Sequence, residues 1–273
     1  MVVFPNAKIN LGLNVVARRD DGYHDIETVF YPIGLCDALE VMPADTLSLR
    51  MYGTPVAGTW DDNLVVRAFR MLQVDFDLPN VAIGLLKKIP MGAGLGGGSS
   101  DAAFMLKLLD EAFGLGLSND MLERYAARLG ADCAFFVRNR PVFAEGIGNE
   151  FSDIALSLAG WRIVLAKPDV HVSTAEAYAH VSCCRRQVSL RSALQRPVAE
   201  WRNCVYNDFE ESVFPLYPVL ADIKQRLYDL GAVYAAMSGS GSTIYGLFAP
   251  ATEPCALSSD VLFGCKIYNM VLQ

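Results

Sequence analysis

Residues 90–103 read Pro-Met-Gly-Ala-Gly-Leu-Gly-Gly-Gly-Ser-Ser-Asp-Ala-Ala, with glycine at five of the seven positions 92–98. Upstream, Val81, Ile83 and Leu85 alternate as in a strand. Downstream, Ala102, Leu106, Leu109 and Phe113 recur at helical spacing behind Ser99, Ser100 and Asp101, all good helix-start residues. A glycine-rich turn between a strand and a helix leaves backbone N–H groups unpaired at the positive end of the helix dipole. Without Cβ atoms, that backbone also admits an anion at close range. The segment therefore predicts a phosphate site and, by extension, a nucleotide.

Glycine loops occur in several nucleotide folds, and spacing separates them. Gly92, Gly94 and Gly97 satisfy G-x-G-x-x-G, but the acids that follow, Asp110 and Glu111, still lie in the predicted helix. A dinucleotide site wants its acid on a second strand, about 20 residues on. A Walker A loop needs lysine before the serine or threonine, and Gly98-Ser99-Ser100 has none. The protein-kinase His-Arg-Asp and Asp-Phe-Gly motifs are missing as well. A turn serving only close packing is the plain alternative, and five glycines before two serines weigh against it.

At 273 residues the chain has room for one large or two ordinary domains. Hydrophobic residues make up 52% and charged residues 19%, which argues against disorder. A net charge of −7 with no basic stripe argues against nucleic acid as a partner, and Arg185, Arg186, Arg191 and Arg196 read as a solvated segment. The sequence shows no signal peptide and no apolar run long enough to span a membrane. Seven cysteines without a C-x-x-C pair, among them adjacent Cys183 and Cys184, read as thiols in a reducing cytoplasm. The three histidines (His24, His171 and His180) form no i, i+4 ligand pair, so no zinc site is expected.

Periodicity outlines an α+β chain. Strands are expected near residues 2–16, 27–34 and 37–50, with helices near 62–76 and 118–129, the latter stopped by Gly130. Residues 143–151 read as a turn or strand, and 161–166 as a short strand. A helix carries Leu220, Ile223, Leu227 and Leu230, and residues 233–237 and 243–248 flank a Ser-Gly turn as a hairpin would.

Two charged residues stand in apolar company. Lys8 lies among Ala7, Ile9 and Leu11, and Asp132 precedes the run Ala134-Phe135-Phe136-Val137. Charges in such places are expected to be paired or functional. An edge-strand lysine and a local capping aspartate remain equal alternatives on spacing alone.

The loop resembles the phosphate loop of the GHMP kinases. Phe4-Pro5-Asn6-Ala7-Lys8-Ile9-Asn10-Leu11-Gly12-Leu13 resembles the family's first motif, and Met237-Ser238-Gly239-Ser240-Gly241-Ser242-Thr243 its third. The three motifs stand in family order over most of the chain. Asp21-Gly22-Tyr23-His24 and the Gly-Gly-Gly-Ser-Ser form of the loop are similar to a branch of the family acting on a cytidine-diphosphate-linked methylerythritol.

The resemblance implies a two-lobed fold, with a ribosomal-S5-like, ATP-binding lobe over residues 1–155 and a ferredoxin-like lobe over 156–273. It implies a small-molecule kinase, cytoplasmic, monomeric or weakly dimeric, using ATP and Mg²⁺. It makes Lys8 and Asp132 the catalytic pair, the aspartate as base for the acceptor hydroxyl and the lysine steadying the reacting oxygen. The departure is at 131–136, where Ala-Asp-Cys-Ala-Phe-Phe replaces the commoner Ala-Asp-Val-Pro-Phe-Phe. Met91, Gly92, Ala93, Gly94, Leu95, Gly96, Gly97, Gly98, Ser99, Ser100 and Asp101 are expected at the phosphates, with Ser99 or Ser100 near ATP-bound Mg²⁺ and no dedicated metal ligand. Asn63 is expected near adenine or, equally on spacing, as a helix cap. Tyr23 and His24 supply an aromatic plane and a polar edge for cytosine, and Tyr178 the second plane. Asn10 and Thr174 are weaker candidates for the erythritol and diphosphate, and Arg138 reads first as a surface arginine. A catalytically dead nucleotide-binding regulator, a dinucleotide oxidoreductase, and a mevalonate- or homoserine-type kinase are the alternatives.

Overall fold

The glycine segment joins the strand Val81–Lys87 to the helix Gly97–Phe113. The structure, a computed structural model, describes all residues except 56–57, 184–185, 251 and 253–257. Cys184, Arg185 and Cys255 thus lie outside the described residues.

The helix begins at Gly97, earlier than Ser99–Asp101 suggested, because Gly96 caps it in the left-handed region at φ 70°. A residue with a Cβ is disfavoured there. Elsewhere the capping signals hold. Ser118 accepts from Met121 N–H to start Asn119–Leu129, and Gly130 ends it. Asn63 caps Leu64–Phe76, after a short 3₁₀ turn at Trp60–Asp62.

The chain divides into two compact units. The first comprises Met1–Lys8, Leu35–Met91 and Gly96–Arg140, and the second Ile9–Gly34, Gly92–Leu95 and Pro141–Gln273. This division by packing is different in kind from a cut by chain order at residue 155, since the early strands contribute to both units.

In the first unit a sheet runs in the order Val2–Val3, Ala38–Pro43, Val81–Lys87, Ser48–Gly53, the last two parallel and the rest antiparallel. The expected strand at 37–50 is thus two strands, and Pro5 interrupts the first. The helices Leu64–Phe76 and Gly97–Phe113 pack together, and Val65, Phe69, Leu72, Met105, Leu106 and Leu109 on them are buried. The buried face of the second helix is wider than the predicted stripe, as a helix with neighbours on two sides requires.

In the second unit the strands Arg162–Lys167, Tyr234–Met237, Ile244–Phe248 and Lys266–Val271 form an antiparallel sheet in which the first strand lies between the third and fourth. This is the order of a ferredoxin-like sheet. The expected hairpin pairs Met237 with Ile244 across the Ser-Gly turn. The helix Pro218–Asp229 buries Leu220, Ile223 and Leu227, while Leu230 falls at its cap. A further sheet orders Asn6–Arg18, His24–Cys36, Val142–Glu145 and Glu150–Asp153, so residues 143–151 are a hairpin. The short helices Thr174–Ala179, Leu190–Leu194 and Phe209–Val213 were not foreseen. Among the described residues no helix is long and apolar enough to cross a membrane.

Candidate active site

Lys8 sits in a strand stretch buried on both faces, so its ammonium does not face solvent. Its partner is Asp132, with Nζ 3.4 Å from Oδ2. The Asp132 side chain is 34% exposed, so the carboxylate opens to solvent instead of being embedded in the apolar run after it. The reason is local. The turn after Gly130 turns Cys133, Phe135 and Phe136 inward and leaves Asp132 at the rim. Burial pushes the Cys133 thiol up to about 11, and an interaction with Ser99 opposes that rise. The position where proline is commoner thus stands beside an inert thiol. A Cβ on Gly96 would stand 3.0 Å from Phe136 Cζ and 3.1 Å from Lys8 Cγ, so the glycine loop rests on the stem of this lysine.

In the second unit the first half of the loop is held by the Ser-Gly turn. Ser238 Oγ donates to Gly94 O at 2.8 Å, and a Cβ on Gly94 would fall 1.9 Å from Ser238 O. Asn207, unmarked by any motif or spacing, donates to both Met237 O and Gly239 O at 2.8 Å and so fixes that turn. Past the loop, Ser100 Oγ and Asp101 Oδ1 are buried without a hydrogen-bond partner among the described residues. Asp101 turns its other oxygen to Lys87 at 2.5 Å, and desolvation, opposed by Lys87 and reinforced by Asp37, pushes its carboxyl up to about 7. Asp37 and Lys87 were both missed. The signal for Lys87 is the strand alternation itself, which places it on the inward face with Val81, Ile83 and Leu85.

A cavity of about 390 Å³ in the first unit is walled by Met51, Trp60, Asn63, Leu85 and Met91, with Lys87, Gly98 and Asp101 on its polar side. Asn63 accepts from Val65 N–H at 3.0 Å, which is the cap reading, and still lines this cavity. The Arg70 guanidinium lies 5.2 Å over the Trp60 ring and pairs with Asp61 at 2.6 Å, steadying that wall.

Apart from Arg138, the acceptor-side candidates fall in the second unit. His24 stacks on Tyr178 with ring centroids 4.6 Å apart and planes 19° apart, and Phe209 meets Tyr178 edge-on at 4.7 Å. A base sandwich was expected around Tyr178, but His24 already covers one face of that ring. Tyr23 is 62% exposed, its N–H bonded to Asp21. Asn10 is buried and donates to Thr28 Oγ1 at 3.0 Å, while Thr174 meets Ser240 at 3.4 Å. Arg138 is engaged by Asp120 and Glu123 at 2.5 and 2.6 Å, as a surface arginine would be. Among the described residues no group of three or more His, Cys, Asp or Glu could hold a metal ion, and Cys36, Cys133, Cys183, Cys204 and Cys265 are thiols.

The family is decided by comparison with known proteins. The model for the GHMP kinases N terminal domain matches residues 63–140, and that for GHMP kinases C terminal matches 190–259. The chain belongs to the GHMP kinases. It is 58% identical over 254 residues to a 4-diphosphocytidyl-2-C-methyl-D-erythritol kinase of Bacteroides thetaiotaomicron, covering 92% of this chain and 93% of that one. It is 55% identical over 267 residues to the protein of that name from Bacteroides fragilis, covering 96% and 97%. A crystal structure of a 4-(cytidine 5'-diphospho)-2C-methyl-D-erythritol kinase superposes with TM-score 0.84 at 32% identity, over 98% of each chain. The α+β GHMP kinase fold is thereby established for this chain, and with it a small-molecule kinase.

Proposed function

We propose that the chain transfers the γ-phosphoryl group of ATP to the 2-hydroxyl of 4-diphosphocytidyl-2-C-methyl-D-erythritol, a step in non-mevalonate isoprenoid precursor synthesis. The observation that carries the chemistry is the Lys8–Asp132 pair, 3.4 Å apart, with the glycine loop resting on the lysine stem. The acceptor is taken from the relatives' names.

ATP is the phosphate donor of GHMP kinases. Backbone N–H groups of residues 94–99 bind its β- and γ-phosphates at the start of the helix Gly97–Phe113, where the dipole favours anions, while the Ser100 N–H is taken by Gly96 O at 2.9 Å. The cavity behind Asn63 and Trp60 takes the adenosine. Ser100 Oγ, buried and lacking a partner, fits the hydroxyl that would hold ATP-bound Mg²⁺, with Ser99 beside it. That ion supplies charge neutralisation on the phosphate oxygens. Asp132 accepts the acceptor hydroxyl's proton, late in a loose transfer, and Lys8 steadies the reacting oxygen. Tyr23, His24 and Tyr178 hold the cytosine, and Asn10 and Thr174 the polar chain. Because His24 covers a face of Tyr178, a base entering between these rings has to part them to about 7 Å, twice a stacking distance.

ADP release with a panel of acceptors tests the reading. Turnover is expected with the cytidyl substrate and not with mevalonate or homoserine. The reverse pattern would overturn it, and protection against heat by NAD(H) but not ATP would revive the oxidoreductase alternative.

A further inference from the structure

Asp37, and Lys87 on the polar side of the cavity, tie together the ends of the phosphate loop. One oxygen of Asp37 accepts the backbone N–H groups of Lys88 at 2.5 Å and Ile89 at 2.8 Å, just before the loop. Its other oxygen receives the Lys87 ammonium, which also donates to Asp101 Oδ2 at 2.5 Å, in the helix that leaves the loop. One buried ammonium thus links the loop's entry to its exit. The gap is closed in the same place by packing, since a Cβ on Gly97 would lie 2.8 Å from Ile89 Cγ2 and 3.4 Å from Lys87 Nζ.

All three charged residues are buried. Stability alone is a poor reason for such a cluster, because well-packed apolar residues of similar volume serve at least as well. What apolar residues cannot supply is direction. The carboxylate fixes two consecutive N–H groups at the loop entry, and the ammonium fixes the first turns of the helix whose N-terminus meets the anion.

We propose that Asp37 and Lys87 are positioning residues for the nucleotide, clamping both ends of the phosphate loop in the shape that receives phosphate. The proposal rests on the ATP reading above and adds to it residues that touch neither reacting atom.

The test is to titrate ADP and adenosine into the wild type, Asp37→Ala and Asp37→Asn by calorimetry, with ATP kinetics and thermal melts alongside. Asp37→Ala removes the one acceptor that both N–H groups share and is expected to weaken ADP, and to raise KM for ATP, by about 10-fold or more. Adenosine affinity and kcat at saturating ATP are expected to move by less than about 3-fold. Asp37→Asn keeps an acceptor for the two N–H groups but turns an amide N–H toward the Lys87 ammonium, and is expected to recover only part of the ADP affinity. If Asp37→Ala does not fold, Asp37→Ser, which keeps one oxygen at shorter reach, takes its place and is expected to weaken ADP more than adenosine. Equal loss for both ligands, or a lower Tm with unchanged ADP binding, would overturn the clamp. A wild type that binds neither ligand would instead overturn the ATP reading itself.

Discussion

Asp132 and Tyr178 carry different parts of the proposed reaction, and single substitutions separate them. Asp132→Asn keeps the shape of the side chain and removes its capacity to take a proton, so kcat is expected to fall about 10²-fold or more. KM for ATP should change little, since the loop and cavity bind it. Near-normal turnover in steady-state assays would reassign the aspartate to structure. Tyr178→Ala removes the ring that His24 and Phe209 both touch. It is expected to weaken the cytidyl substrate by roughly 1–3 kcal/mol, about 5- to 150-fold in KM, with kcat nearly intact. Tyr178→Phe keeps the ring face and should be mild. A large fall in Tm with unchanged KM would make Tyr178 a packing residue only. The two residues also differ in legibility. Lys8 and Asp132 stood out as charges in apolar stretches. The His24–Tyr178 stack did not, because the rings are far apart in sequence and meet only once the fold brings the strand His24–Cys36 and the helix Thr174–Ala179 together.

At the scale of elements, the glycine loop is the part most fully written in the sequence, because its conformation depends on missing side chains. Gly96 tests this. Its φ of +70° strains any residue with a Cβ, and Phe136 and Lys8 would have to give by a few tenths of an ångström to admit a methyl group. Gly96→Ala is expected to lose about 1–2 kcal/mol of stability from the backbone alone, together with ATP affinity. Gly98 is the contrast, since a Cβ there meets only Leu64 Cδ1 at 3.8 Å inside the helix. Gly98→Ala should gain roughly 0.5–1 kcal/mol from helix propensity. Urea melts of the pair check both signs, and equal effects would mean the loop does not depend on its left-handed glycine. Helix ends were legible where a side chain or glycine makes them, as at Ser118 and Gly130. Phe209–Val213 and Leu190–Leu194 were not, being too short for a period of 3.6 to show.

For the molecule as a whole, the net charge of −7 coexists with a proposed site for anionic substrates, so attraction has to come from local N–H groups and lysines and not from the overall field. Stability against pH is likewise set by a few buried groups. Glu210 ties the helix Phe209–Val213 to Lys224 in Pro218–Asp229 at 2.5 Å and accepts Met237 N–H at 2.8 Å, at the end of the edge strand Tyr234–Met237. Burial, opposed by Lys224 and that N–H, raises its carboxyl above the ordinary 4.5. The folded state therefore holds this proton more tightly than the unfolded chain does. The resulting stabilisation is complete below about 4.5 and is lost as pH rises through the raised value. Glu210→Gln cannot titrate and keeps the shape, although Lys224 loses its charged partner. The difference in Tm between wild type and Glu210→Gln should accordingly move against the wild type as pH rises from about 4.5 toward neutrality, and then level off. Scanning calorimetry of both proteins across that range measures it. A difference that stays constant, or grows in favour of the wild type, would mean that Lys224 outweighs burial and lowers the carboxyl instead.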